Sequence, residues 1–282
     1  MTRYAGLTRL RGELGLHEGR VPDALGKVLA STPVYQISGE AFLLSLPMGL
    51  VFHYRRGAGT AFRRSPGVTD DEVALFFEGS VYGAIAWLNG YVPLHASAVL
   101  HEEQVYAFTG PSGEGKSTLA SALGQRGMTL CSDDVLVLDL SDPGQVIALP
   151  GPARMKLWDD ALALTGRSSS HAVRAGVAKY YVSDLPFAGT SPLPVRKLYF
   201  LESDAESPPS IIAISGSAAF NWVRSAYYRP RLFKALAGQD RHFETGVRLG
   251  RSLALARFSR RRERTEFDAA VDVIAADIRA AA

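Results

Sequence analysis

The chain has 282 residues, enough for one large domain or two small ones. With 31 Lys and Arg against 28 Asp and Glu, its net charge of +3 is too small for a protein that coats nucleic acid. An apolar fraction of 47% suits a soluble globular fold, and a lone cysteine, Cys131, excludes an internal disulfide and suits a reducing cytosol.

The N-terminus leads into no apolar signal core. The longest apolar run, residues 41–52, is broken by Ser45, Pro47 and Gly49 and is too short to span a bilayer. A cytoplasmic protein with no membrane partner and no nucleic-acid partner is expected. Residues 34–38, 41–46 and 50–54 read as short strands separated by turn residues, with loops at residues 57–59 and at Pro66-Gly67. Thr69 and Glu72 form a capping box that starts a helix. Val73, Phe76, Phe77, Ser80, Val81, Ala84, Ile85 and Leu88 share one face of it, expected to pack on a sheet, and Asn89-Gly90 ends it.

Short strands resume at Leu94. Residues 152–164 read as a helix and 165–178 as a polar, basic loop. Residues 180–182 and 195–201 read as strands, 217–228 as a helix, and Pro230 starts another. Residues 251–258 alternate as a strand does, and a last helix, capped by Thr265, covers 267–280. Strands and helices mix without a regular β-α-β alternation, so an α/β protein with a mixed sheet is expected. The expected division is 1–90, strands plus a helix packing on the core, and 91–282, the core itself, with one continuous domain as the alternative.

The run Gly110-Pro111-Ser112-Gly113-Glu114-Gly115-Lys116-Ser117 fits the phosphate-binding P-loop, G-x-x-x-x-G-K-[ST]. Its glycines let successive backbone N–H groups turn inward around phosphate oxygens. An apolar strand, residues 105–108, precedes it. A helical stretch from Thr118 follows and would aim the positive end of its dipole at the phosphates. Gly110 through Thr118 are therefore the nucleotide-binding candidates. Lys116 would reach the β- and γ-phosphates of ATP, and the Ser117 hydroxyl would ligate Mg²⁺.

Before the loop, two apolar runs flank a polar turn at Glu102-Glu103, a hairpin signal. Pairing about that centre puts residue i opposite 205 − i, so His95 faces Gly110. An imidazole there either serves the phosphate cradle or makes a structural hydrogen bond. After the loop's helix comes a short strand, residues 128–131, and then Asp133-Asp134. Two carboxylates at that sheet edge suit a division of labour, one holding Mg²⁺ and one accepting a proton; an acidic turn is the plainer alternative. Arg154, Lys156 and Lys179 could reach phosphates from loops or be solvated. The basic run Arg260–Arg264 could bind an acidic partner or a terminal carboxylate, or form a solvated face.

Leu94-His95, the P-loop and Asp133-Asp134 together resemble the catalytic domain of HPr kinase/phosphorylase. The resemblance covers about residues 94–140 and implies a mixed-sheet P-loop core of the HPr kinase / phosphoenolpyruvate carboxykinase type, here with a β-rich N-terminal extension. It implies His95 and Asp133 as a catalytic pair, and Asp134 with Ser117 as the Mg²⁺ holders. The family's separate N-terminal domain and its C-terminal signature are not evident in this chain. Residues 149–158 and 179–194 are similar to the shorter HPr-kinase-like proteins of lasso-peptide biosynthesis. That likeness implies an ATP-dependent serine kinase acting on a ribosomal precursor peptide, at its C-terminal serine. An HPr-type kinase/phosphorylase and a nucleotide-binding regulator are the alternatives, and homo-oligomers are left open.

Overall fold

The computed structural model describes residues 5–152, 154–174, 176–182, 184–204, 206, 208–237 and 239–281. Helix α1 (Ala5–Gly12) precedes strands β1 (Leu16–Glu18), β2 (Ala30–Ser31), β3 (Tyr35–Ile37), β4 (Ala41–Ser45), β5 (Val51–Arg55) and β6 (Gly59–Arg63). Helices α2 (Asp70–Phe76) and α3 (Tyr82–Leu88) follow, joined by a π-helical turn at Phe77–Val81. Then come β7 (Val92–His101), β8 (Gln104–Thr109), α4 (Lys116–Gly124), β9 (Thr129–Ser132), β10 (Val135–Asp139), β11 (Ile147–Leu149) and β12 (Met155–Trp158). The chain continues through α5 (Asp159–Leu164), β13 (Lys179–Val182), β14 (Leu193–Ser203), β15 (Ser210–Ile214), α6 (Ser217–Ser225) and α7 (Pro230–Leu236). It ends with α8 (Gln239–Ser252), β16 (Ala254–Arg260) and α9 (Phe267–Ala281). None of the described helices is long and apolar enough to cross a membrane.

Two compact units result: residues up to Pro93 with Tyr228–Glu244, and Leu94–Tyr227 with Thr245–Ala282. The division expected from sequence made two continuous pieces. The structure instead returns the α7 segment to the first unit. Its reason is apolar: Trp87 of α3 stacks on Phe233 of α7 with ring centroids 4.1 Å apart, and its indole N–H donates to the Tyr228 carbonyl at 2.8 Å. Local periodicity carries no trace of a partner that far along the chain.

In the first unit the strands lie in the order β1-β6-β5-β4-β3-β2, with β1 parallel to β6 and the other pairs antiparallel. The capping box forms: the Thr69 hydroxyl accepts from the Glu72 N–H at 3.2 Å, and the Glu72 carboxylate accepts from the Thr69 N–H at 3.1 Å. The single striped helix expected here does not. The π-helical turn interrupts it, and α3 is buried on every side. A Cβ on Gly83 would lie 2.5 Å from the Tyr228 ring, so the side that the stripe left out is packed as well.

The second unit is built on a mixed sheet, β11-β10-β7-β8-β14-β16-β15, with β9 paired to β7. β14 runs parallel to both β8 and β16, and β7 antiparallel to β8. β11 also pairs with β14, so β11, β10, β7, β8 and β14 close into a ring. The hairpin register is the expected one, Ala96↔Thr109 through His101↔Gln104. Its two-residue turn puts Glu102 and Glu103 at φ 45° and 61°, the doubled left-handed geometry of a tight hairpin. One face of the sheet is covered by Leu119 and Leu123 of α4 and by Val271, Ile274 and Ile278 of α9, all buried with Val99, Tyr106, Phe108, Tyr199 and Phe258. Each such side chain contributes about 1.5–3 kcal/mol on burial. Trp222 of α6 packs on Phe200, centroids 5.1 Å apart.

The helix expected over residues 152–164 forms only in its second half. Residues 155–158 form β12, paired antiparallel with β13, and only 159–164 are helical. Met155, Lys156 and Leu157 are all buried, so burial does not alternate along β12, and it is the pairing with β13 that marks it as a strand. Thr265 lies inside a 3₁₀ turn, Arg264–Glu266, rather than capping α9. Strand β15 and helix α8 are not among the elements expected from the sequence.

Candidate active site

β8 ends at Thr109, and the P-loop turns from it into α4. Gly110 has φ 152°, and a Cβ there would lie 2.8 Å from the Leu201 carbonyl oxygen. Gly115, the N-cap of α4, is left-handed with φ 76°, and a Cβ there would lie 2.9 Å from an Arg260 guanidinium nitrogen. Neither position admits another residue without strain. Lys116 curls back across the loop, donating from Nζ to the Gly110 carbonyl at 2.8 Å and to the Pro111 carbonyl at 3.0 Å. It is 7% exposed; burial lowers its pKa, and the attraction of Asp134, Asp133 and Glu114 offsets part of that.

Asp133 follows β9, whose register against β7 shifts between Ala98↔Ser132 and Val99↔Leu130. Its Oδ1 accepts from the Ser117 hydroxyl at 2.7 Å and from the Ser97 hydroxyl at 2.7 Å. Its Oδ2 accepts from the Lys156 backbone N–H at 3.1 Å. Asp134 is left-handed, φ 72°, which a short polar side chain tolerates and which turns it away from Asp133. Its carboxylate lies 3.4 Å from His95 Nδ1 and 3.1 Å from Lys156 Nζ. Burial alone would raise the Asp134 carboxyl. The His95 hydrogen bond and the Lys156 ammonium outweigh it and hold the carboxyl well below the usual carboxylate range. Burial likewise works against the Lys156 ammonium, yet Asp134 and Asp133 leave its pKa raised.

His95 is one residue beyond the Ala96↔Thr109 pair. Its N–H donates to the Ala226 carbonyl at 2.7 Å, and its carbonyl accepts from the Thr109 hydroxyl at 2.9 Å. The ring Nδ1 is 3.1 Å from the Asp134 backbone oxygen. A carbonyl oxygen only accepts, so Nδ1 carries the hydrogen in that bond.

A cavity of about 750 Å³ joins these groups. His95, Ser112, Gly113, Gly115, Lys116, Ser117, Thr118, Asp133 and Asp134 all line it, as do Ser97, Lys156, Trp158, Lys179 and residues 260–264. Of the sequence candidates, Gly110, Pro111 and Glu114 shape the loop without lining the cavity. Within the Asp pair, Ser117 is hydrogen-bonded to Asp133, and His95 lies against Asp134. Nothing in an Asp-Asp pair announces which carboxylate meets which partner. Ser97 went unnoticed, although it follows His95 by two and therefore lies on the same strand face. Lys156 sits on β12 rather than on a loop. Arg260 is 6% exposed and donates to the Glu114 carbonyl at 2.6 Å, so the first residue of the basic run is not solvated. Cys131 takes no part: burial pushes its thiol up to about 12.

Magnesium fits this donor set. Ser97, Ser117 and Asp133 bring hard oxygen ligands to one point. Mg²⁺ is ordinarily held by one or two carboxylates together with water and phosphate. A cluster of three His, Cys, Asp or Glu, which the described residues do not contain, is not required.

No protein-family model matches this chain, and no curated protein matches it. Among solved structures it is similar to the Hpr(Ser) kinase/phosphatase from Coxiella burnetii, at 12% sequence identity over 66% of this chain and 97% of that one, with a TM-score of 0.35. A likeness that slight leaves the chemistry to be argued from the residues themselves.

Proposed function

We propose that the chain is an ATP-dependent serine kinase that transfers the γ-phosphoryl group to the C-terminal serine of a lasso precursor peptide. One arrangement supports the reading: a P-loop, an Asp133–Ser117 pair and a His95–Asp134 pair open into one cavity. A protein that only senses nucleotide needs no oriented proton acceptor there.

The P-loop N–H groups and the start of α4 would hold the phosphates, with Lys116 exchanging two loop carbonyls for phosphate oxygens. Magnesium on Asp133 and Ser117 would neutralise charge on the β- and γ-phosphoryl oxygens. The serine Oγ attacks the γ-phosphorus in line, the bond to the β–γ bridging oxygen breaks, and ADP leaves with that electron pair. The hydroxyl proton passes to His95 Nε2. Asp134 holds the ring by Nδ1 and stabilises the imidazolium. Positioning and charge neutralisation carry most of the rate.

Mass spectrometry of peptides after incubation with ATP and Mg²⁺ tests this. Lasso-type precursors ending in serine should gain phosphate on that residue. His95→Asn should lower turnover by about 10²–10⁴-fold. Asp133→Asn should abolish transfer. Phosphate on HPr alone would move the protein to the folded-substrate branch. Bound nucleotide with no transfer to any acceptor would leave a regulator.

A further inference from the structure

Arg260 ends β16 and opens the basic run, yet its side chain is 6% exposed. One terminal nitrogen donates to the Glu114 carbonyl of the P-loop at 2.6 Å. Its Nε has no hydrogen-bond partner among the described residues, and no carboxylate among them lies within ion-pair distance. The Glu114 carboxylate attracts it from farther off but is itself bonded to the Ser203 hydroxyl at 2.6 Å. Burial lowers the guanidinium pKa, Glu114 offsets part of this, and Arg262 adds to it. A buried guanidinium facing a neutral carbonyl is a costly arrangement for a fold to keep.

The position explains the cost. The guanidinium lies against the turn into α4, so close to Gly115 that a Cβ there would come within 2.9 Å of it. It lines the same cavity as Lys116, Ser117 and Thr118. An anion seated on the loop would supply the missing counter-charge and an acceptor for a planar donor group.

We infer that Arg260 is a phosphate-binding residue, donating to an oxygen of the nucleotide polyphosphate held by the P-loop. This rests on the nucleotide-binding part of the function proposed above. The binding contributes the charge that the loop's single lysine leaves uncompensated. It also gives Gly115 a second duty, since any side chain there would displace the guanidinium.

Calorimetric titration with Mg-ADP and with tripolyphosphate, beside thermal melts without ligand, tests it on Arg260→Met, Arg260→Lys and Lys116→Ala. Arg260→Met should bind Mg-ADP about 10- to 100-fold more weakly. Its ligand-free Tm should equal or exceed that of the unchanged protein, because an uncompensated buried charge is gone. Unchanged affinity with a lowered Tm would make Arg260 a structural prop of the loop and overturn the inference. If Arg260→Met loses both affinity and stability, Arg260→Lys decides: affinity regained with the charge supports the phosphate contact, and affinity still lost overturns it. Weak binding by Lys116→Ala beside normal binding by Arg260→Met would sink this inference alone. An unchanged protein that binds neither probe would sink the nucleotide reading along with it.

Discussion

Asp133 and Asp134 are neighbours in sequence with different surroundings, and the difference can be measured. Asp134 is held ionised by His95 and Lys156, so its folded pKa lies below its unfolded value near 4. The stability it contributes is therefore present above about pH 4 and is lost as the pH falls through the folded value. Asp134→Asn should be destabilised at neutral pH by about 1–3 kcal/mol, reduced from the fully buried case because the group is partly exposed. The gap between the two proteins in thermal melts should close on acidification; a gap constant with pH would contradict the assignment. Ser97→Ala should cost about 1–3 kcal/mol in urea unfolding, since it removes one of the bonds on the buried Asp133 carboxylate. At this scale the residue types were legible and their partners were not. Two carboxylates after a P-loop helix say that charge is needed there. That Asp133 is the one that meets Ser117 is a property of the folded backbone.

Local signals were the most legible at the scale of elements. The P-loop, the hairpin register and the capping box each lie within a few residues, so the side chains that decide them are adjacent on the page. Thr69→Ala should cost about 1 kcal/mol in chemical denaturation by removing the α2 cap. Gly110→Ala combines a glycine-only φ with a 2.8 Å approach to the Leu201 carbonyl. It should cost about 1–3 kcal/mol and weaken nucleotide binding, because strain there moves the loop. Misread elements share one cause. β12 is four residues, about one helical turn's worth, and whether it is strand or helix is decided by its pairing with β13. The stripe drawn on residues 73–88 assumed one packed face, while α3 is packed all round.

For the whole molecule, the informative feature is the return of Tyr228–Glu244 to the first unit. A fragment of residues 94–282 would keep Leu232 and Phe233, both buried in the full chain, without the Trp87 on which Phe233 stacks. It should bind a hydrophobic dye strongly. A fragment that also replaces 228–244 by a flexible linker should not, because Phe233, the partner of Trp87, is then gone. Equal dye binding by both would argue against the division. The substrate proposal belongs to this scale too. A C-terminally amidated precursor should be phosphorylated more slowly than the free acid if a cation at the cavity rim reads the carboxylate. Equal turnover would remove that idea.

By itself, the sequence determined what short-range sterics and spacing can dictate. That includes a phosphate-binding turn between a strand and a helix, a hairpin that brings His95 to its start, and an acidic pair beyond the next strand. Glycine placement and strand alternation act over a few residues, so no distant partner is needed to read them. Tertiary structure alone decided which carboxylate serves which partner. It also decided that Lys156 and Arg260 turn inward, and that residues 228–244 leave the unit whose sequence surrounds them. Those outcomes come from burial and hydrogen bonding between segments far apart in the chain, as with Arg260 and the Glu114 carbonyl 146 residues away, and such balances form only once the chain has closed on itself.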